Sequence, residues 1–180
     1  MSTKVEATID DLMRVEGKAE LVNGEIVPMP PTGGLPGFAG GKIYRSLDDY
    51  RMRAGRGYAL PDNVAYKVNL PHREAFSPDA SYYTGQLTMS YLVGPPVFAA
   101  EVRSENDYGK TAEAAMAEKR RDYFATGTLV VWDVDLLGAD VVRAYHAADP
   151  DVPQVFRRGE VADAEPSVPG WRMPVDDLFE

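Results

Sequence analysis

Asp79, Glu101 and Lys119 are far apart along the chain, but they have the side-chain types and settings for phosphodiester hydrolysis. Glu101 stands in the run Val97-Phe98-Ala99-Ala100-Glu101-Val102-Arg103. A two-residue period puts Val97, Ala99, Glu101 and Arg103 on one face and Phe98, Ala100 and Val102 on the other. An acid in such a row either lies at a solvated strand end, paired to Arg103 or Lys119, or belongs to a site, because burying a bare carboxylate is expensive. Asp79 follows Pro78 and shares a strand face with Ser81 and Tyr83; it reads either as a turn acid accepting a backbone N–H or as a companion of Glu101.

The third member comes from a helical pattern over 108–126. At 100° per residue, Ala112, Ala115, Met116, Lys119 and Tyr123 fall in one arc, while Glu118, Arg121 and Asp122 point elsewhere. Lys119 either snorkels past its apolar neighbours to water or directs its ammonium at the sheet beneath, where it needs a counter-charge. The segment after Glu101 is of the length that folds this helix back over its strand. Two carboxylates suit Mg²⁺ or Mn²⁺, since Mg²⁺ takes one or two protein carboxylates and retains waters. A lysine beside them would orient or help deprotonate the attacking water and stabilise developing negative charge.

The elements that must position these groups can be read along the chain. Thr8 caps a short helix with Ile9, Leu12 and Met13 on its apolar side, stopped at Gly17. Ala19 to Val27 is a hairpin turning at Asn23-Gly24, where both turn positions tolerate positive φ. Residues 28–41 are so rich in proline and glycine that a mobile loop is expected, with a helix from Ile43 to Met52. A strand over Val64 to Val68, a break over Pro71 to Ser77 and strands over Asp79 to Thr84 and Val97 to Val102 follow. Gly127 closes the long helix; strands over Thr128 to Val134, Asp140 to Tyr145 and Val152 to Phe156 and one helical turn over Val175 to Phe179 complete the chain. The order predicts an α/β chain of the α+β kind, a mixed sheet with a helix packed on it, in one domain over 1–180.

Other chemistries are excluded by what the chain lacks. Zero cysteines remove disulfides, thiolate zinc sites and a cysteine nucleophile, and suit a reducing cytoplasm. Gly41-Lys42 is followed by Ile43, and Pro36 occupies a glycine position, so a P-loop is rejected. There is no GxSxG elbow, and His72 and His146 lack metal-ligand spacing and read as surface residues. Tyr82, Tyr83, Tyr91, Trp132 and Tyr145 are more readily core or sheet residues than base-stacking platforms. With neither an apolar membrane-length run nor a signal-type N-terminus, no membrane or secretory role is expected. A net charge of −9 repels a polyanion at long range, although an ion held between carboxylates reverses the local sign.

Several segments together resemble the Uma-type endonucleases of the PD-(D/E)XK restriction endonuclease-like superfamily. They are ELVNGEIVPMPP at 20–31, SPDASYY at 77–83, GPPVFAAEVRSEND at 94–107, EKRRDYFATGTLVVWDVD at 118–135 and VPGWRMPVDDLF at 168–179. The resemblance implies a mixed sheet flanked by helices, a Mg²⁺-type site and nuclease machinery acting on DNA. By position, Asp79 matches the aspartate of the PD motif, Glu101 the acid of the next core strand, Lys119 a lysine on the following helix, and Glu20 a further acid that joins the site; read from spacing alone, Glu20 is either that acid or a solvated hairpin residue. Asp79 and Glu101 are then the metal ligands. Three departures stand out: Arg103 occupies the superfamily's lysine position and is too basic to accept a proton though able to bind phosphate; no histidine stands within Phe38 to Lys42; and Ser104-Glu105-Asn106 adds a negative charge after the core strand. A homodimer is expected, because cutting a duplex needs two cleavages. The competing expectations are a catalytically silent member of the fold that binds DNA or protein, and a structural subunit whose acids merely solvate a sheet edge.

Overall fold

The computed structural model describes residues 5–180. In chain order the elements are helix α1 (Ile9–Leu12), strands β1 (Ala19–Val22) and β2 (Glu25–Pro28), helix α2 (Gly34–Ala54), strands β3 (Tyr58–Leu60), β4 (Tyr66–Leu70), β5 (Arg73–Phe76), β6 (Ala80–Tyr83), β7 (Leu92–Val93) and β8 (Phe98–Val102), and helix α3 (Lys110–Thr126). Strands β9 (Val130–Val134), β10 (Val142–His146), β11 (Asp149–Phe156), β12 (Val161–Asp163) and β13 (Arg172–Pro174) follow, with a 3-10 turn at Val175–Leu178.

Local chemistry accounts for the first elements. Thr8 and Asp11 form a reciprocal capping box that starts α1. Asn23 and Gly24 both adopt positive φ, 52° and 69°, so the chain reverses between β1 and β2 in the tight turn that matches strand twist. The expected loop over 28–41 is corrected: it ends at Gly33, and α2 begins at Gly34. Pro36 sits in the first helical turn, where backbone N–H groups have no intrahelical acceptor to lose. Ala39, Ile43, Leu47 and Tyr50 then bury one stripe, and that packing outweighs the glycine-rich local composition.

A six-stranded mixed sheet, in the order β11-β10-β9-β8-β6-β3, forms the centre of the structure. Its β8 and β9 run parallel, joined through α3, whereas its other neighbours pair antiparallel. One face of β8, with Phe98, Ala100 and Val102, packs with α2 and the C-terminal segment around Trp132 and Trp171, stacked 4.9 Å apart. Both indoles also satisfy their N–H, Trp132 on Asp163 O and Trp171 on Ser46 Oγ, each at 3.0 Å. On the other face Ala99 and Val131 lie beneath Tyr123 of α3, which stacks on Phe76 at 4.0 Å. A second sheet, β2-β1-β5-β4-β7, carries β1 and β5 to this side. Its β5 corrects the expected break at Pro71 to Ser77. Among the described residues no helix is long and apolar enough to cross a membrane.

Candidate active site

The alternation of β8 sends Glu101 to the face opposite Phe98 and Ala100, beneath α3. The Asp79 N–H donates to Ala100 O at 3.1 Å, which extends the β6/β8 ladder by one residue and sets Asp79 beside the end of β8. Its carboxylate then replaces a backbone acceptor: the Val102 N–H donates to Asp79 Oδ2 at 2.7 Å. From α3, Lys119 Nζ lies 2.8 Å from Glu101 Oε1, and Tyr123, one turn later, donates its hydroxyl to the same oxygen at 2.6 Å. Glu101 Oε2 receives no hydrogen bond from any described residue.

Glu20 of β1 completes the fixing of Lys119. Its Oε1 lies 2.9 Å from Lys119 Nζ and accepts the Ser77 N–H at 2.9 Å, while Oε2 accepts from Arg73 Nη1 at 2.6 Å. Arg73 in turn donates Nε to Asp122 Oδ2 at 2.8 Å, and His72 Nε2 lies 2.7 Å from Asp122 Oδ1. Asp122 points away from the arc of Lys119 and Tyr123, as expected, and is buried there against Arg73 of the short strand β5, on the flank of α3. His72, expected at the surface, is only half-buried and caps this chain of charges.

These charges act on one another. Burial, and then the nearby carboxylates Asp79 and Glu20, push Glu101 above the usual glutamate range despite Lys119. Burial disfavours the charge on Lys119, but Glu101 and Glu20 outweigh it and hold the ammonium above the ordinary lysine range. Glu20 is likewise opposed by burial, yet Lys119 and Arg73 hold it below the usual carboxylate range. Burial and the Glu101 charge push the Tyr123 phenol well up, so it remains a donor.

Asp79, Glu101, Lys119, Tyr123, Lys18 and Arg103 all line one cavity of about 400 Å³. The half-buried or exposed Ala112, Ala115 and Met116 of α3 wall the same cavity, so the expected apolar stripe is a wall rather than a packed seam. Among the described residues no three or more His, Cys, Asp or Glu side chains gather in a metal-holding group. The donor set fits an ion that needs few protein ligands: two carboxylates face one cavity, repel one another, and leave Glu101 Oε2 without a donor among the described residues. Mg²⁺ or Mn²⁺ on Asp79 and Glu101 meets those terms.

The sequence-derived residues Asp79, Glu101, Lys119 and Glu20 thus come together, though not in equal positions. Glu20 lies behind Lys119, buried and outside the cavity lining that includes Asp79 and Glu101, which makes it a positioning residue and not an ion-facing one. Arg103 reaches the cavity wall, but its Nε and Nη2 each donate to Asp133 at 2.7 Å and it also pairs with Glu113. Its guanidinium is therefore occupied rather than presented to a phosphate. Lys18, which pairs with both Asp79 and Asp62, and Arg73 are members that sequence reasoning missed. Lys18 had a signal: it is two residues before Glu20, hence on the same face of the hairpin.

The profile of the Uma2 family, described as "Putative restriction endonuclease", matches residues 9–176. Among solved structures, that of a putative nuclease belonging to DUF820 from Anabaena variabilis ATCC 29413 superposes with a TM-score of 0.73. The match covers 96% of this chain and 97% of that one at 15% sequence identity, a likeness of fold. No curated protein matches the chain. The mixed sheet flanked by helices is the restriction endonuclease-like fold that the sequence resemblance implied.

Proposed function

This chain belongs to the Uma2 family, and from that premise we propose that it is a metal-dependent endonuclease hydrolysing phosphodiester bonds in DNA. The observation that carries the reading is the convergence of Asp79, Glu101 and Lys119 on one cavity from three separate elements. Asp79 and Glu101 hold Mg²⁺ or Mn²⁺; the bound ion supplies Lewis acidity and a more acidic water. The Lys119 ammonium, kept protonated by its two carboxylates, holds its proton at Nζ and stabilises negative charge on the phosphate. Of the two roles open to this lysine, its two carboxylate partners favour orientation with charge stabilisation. Tyr123 and Glu20 fix Glu101 and Lys119 in place.

In the same reading the protein works in the cytoplasm as a homodimer, the arrangement that suits two cuts on a duplex. A second reading, a catalytically silent fold that binds DNA or protein, is favoured by one observation: Arg103 is fully occupied by Asp133 and Glu113. The two are separated by calorimetry with Mg²⁺ and Mn²⁺ and by cleavage of single-stranded, duplex and branched DNA. Endonuclease function requires metal binding that vanishes in Asp79→Ala, and cutting that vanishes in Asp79→Ala and falls sharply in Lys119→Ala, while both variants stay folded. Metal-independent DNA or protein binding without cutting supports the silent fold instead.

A further inference from the structure

Lys18 is placed with more care than a solvated lysine needs. Its carbonyl accepts the Met29 N–H at 2.9 Å, so the β1/β2 ladder extends to it and fixes its backbone. Its ammonium lies 2.6 Å from Asp79 Oδ1 and 2.7 Å from Asp62 Oδ1, and the side chain is only 12% exposed. Since Val102 N–H already donates to Asp79 Oδ2, both oxygens of Asp79 carry donors of the chain itself, one of them a full positive charge. Glu101 Oε2, across the same cavity, carries none from the described residues. A divalent ion shared by Asp79 and Glu101 meets a resident cation on each ligand, but Lys119 on Glu101 Oε1 leaves Oε2 open, whereas Lys18 sits on an acid with no open oxygen, and like charges in a partly buried site repel strongly. Asp62 offers the way out. It is the more open of the two acids, its side chain 41% exposed against 14% for Asp79, and it already holds the same ammonium. The Asn63 N–H donates to Asp62 Oδ1 at 2.7 Å and keeps that carboxylate in place.

We propose that Lys18 is an internal competitor for the metal site: it neutralises Asp79 in the ion-free chain, and loading of the ion transfers its ammonium wholly to Asp62. The inference rests on the Asp79–Glu101 ion reading and adds regulation of that site by the chain's own cation. It makes metal affinity depend with opposite sign on two residues that are not ligands. Removing Lys18 frees Asp79, whereas removing the Asp62 charge leaves the displaced ammonium without a partner.

Calorimetric titration of the full chain with Mn²⁺ alone, without DNA, tests this in wild type, Lys18→Met and Asp62→Asn, each checked for a cooperative thermal melt. The expected result is Mn²⁺ binding about tenfold tighter in Lys18→Met and several-fold weaker in Asp62→Asn than in wild type, the sizes expected for gaining or losing one well-placed charge contact. If Lys18→Met does not fold, Lys18→Gln takes its place beside Asp62→Asn. Binding by wild type with equal or weaker affinity in the folded Lys18 variant overturns the competitor role and leaves the ion reading standing. Absence of Mn²⁺ binding in all the chains removes the ion reading and the inference together.

Discussion

The ammonium of Lys119 lies 2.8 Å from Glu101 Oε1, so the helix and the strand of the parallel β8–α3–β9 crossover meet at the cavity. The crossover fixes the distance between a lysine and an acid that the superfamily pattern would place two residues apart on one strand. Arg103, at that strand position, is turned to Asp133 on β9. One side chain has become structural and the helix supplies the charge near the cavity.

Lys119→Met is expected to lower DNA cleavage by about 10²–10³-fold, the usual cost of removing one preorganised charge that faces a transition state. Mn²⁺ affinity is expected to hold or rise, because Glu101 loses a competing cation. Single-turnover cleavage together with Mn²⁺ titration checks both; equal loss of binding and cleavage would make Lys119 a structural support only.

Glu101→Gln is expected to stabilise the ion-free protein by about 1 kcal/mol at pH 7–8, as replacements of strained site charges commonly do. The sign follows from linkage. Glu101 has its folded pKa raised by burial and by Asp79, so its favourable contribution is complete below the unfolded glutamate value and is lost as pH rises through the folded one. Urea unfolding at several pH values should show the gain vanish on acidification; a neutral-pH loss above about 1 kcal/mol would contradict it.

Glu20→Gln should act in the opposite direction, destabilising by about 3–5 kcal/mol at neutral pH because Arg73 and Lys119 lose a buried counter-charge. The folded pKa of Glu20 is lowered, so its stabilisation is present above the unfolded glutamate value and disappears as pH falls through the folded one. The gap between wild type and variant in denaturant midpoint should therefore narrow in acid. A gap independent of pH would point to lost packing rather than charge.

Arg103→Lys restores the lysine of the superfamily pattern at the cost of the two-pronged contact with Asp133. A point charge cannot replace that fork, so stability should fall by about 1–3 kcal/mol with no gain in cleavage. Thermal melts and the cleavage assay used for Lys119→Met report on both; faster cleavage would mean that Lys119 does not fill the lysine's role.

How much of this was readable beforehand depended on whether a residue's setting was local. Asn23-Gly24, Gly127 and the two faces of Val97 to Val102 follow from turn chemistry and the pleat, and the structure agrees at each. Glu101, Lys119 and Asp79 were visible as misfits, charged residues in otherwise apolar or strand-opening positions. Arg73 was not, because β5 is only four residues long and exists through its pairing with β1 and β4. Asp122 was missed for the same reason, since its partner is Arg73. The start of α2 was hidden by its own composition: Gly34 to Gly41 form helix because Ala39 and Ile43 find a core and Gly40 lies against Asp79.

The most direct test of the central claim is a crystal of the protein soaked in Mn²⁺ and measured for anomalous scattering. The expected result is one ion peak at about 2.0–2.3 Å from carboxylate oxygens of both Asp79 and Glu101, near the distances hard divalent ions take to oxygen. An empty cavity at millimolar Mn²⁺, with Lys18 still seated on Asp79, would contradict it.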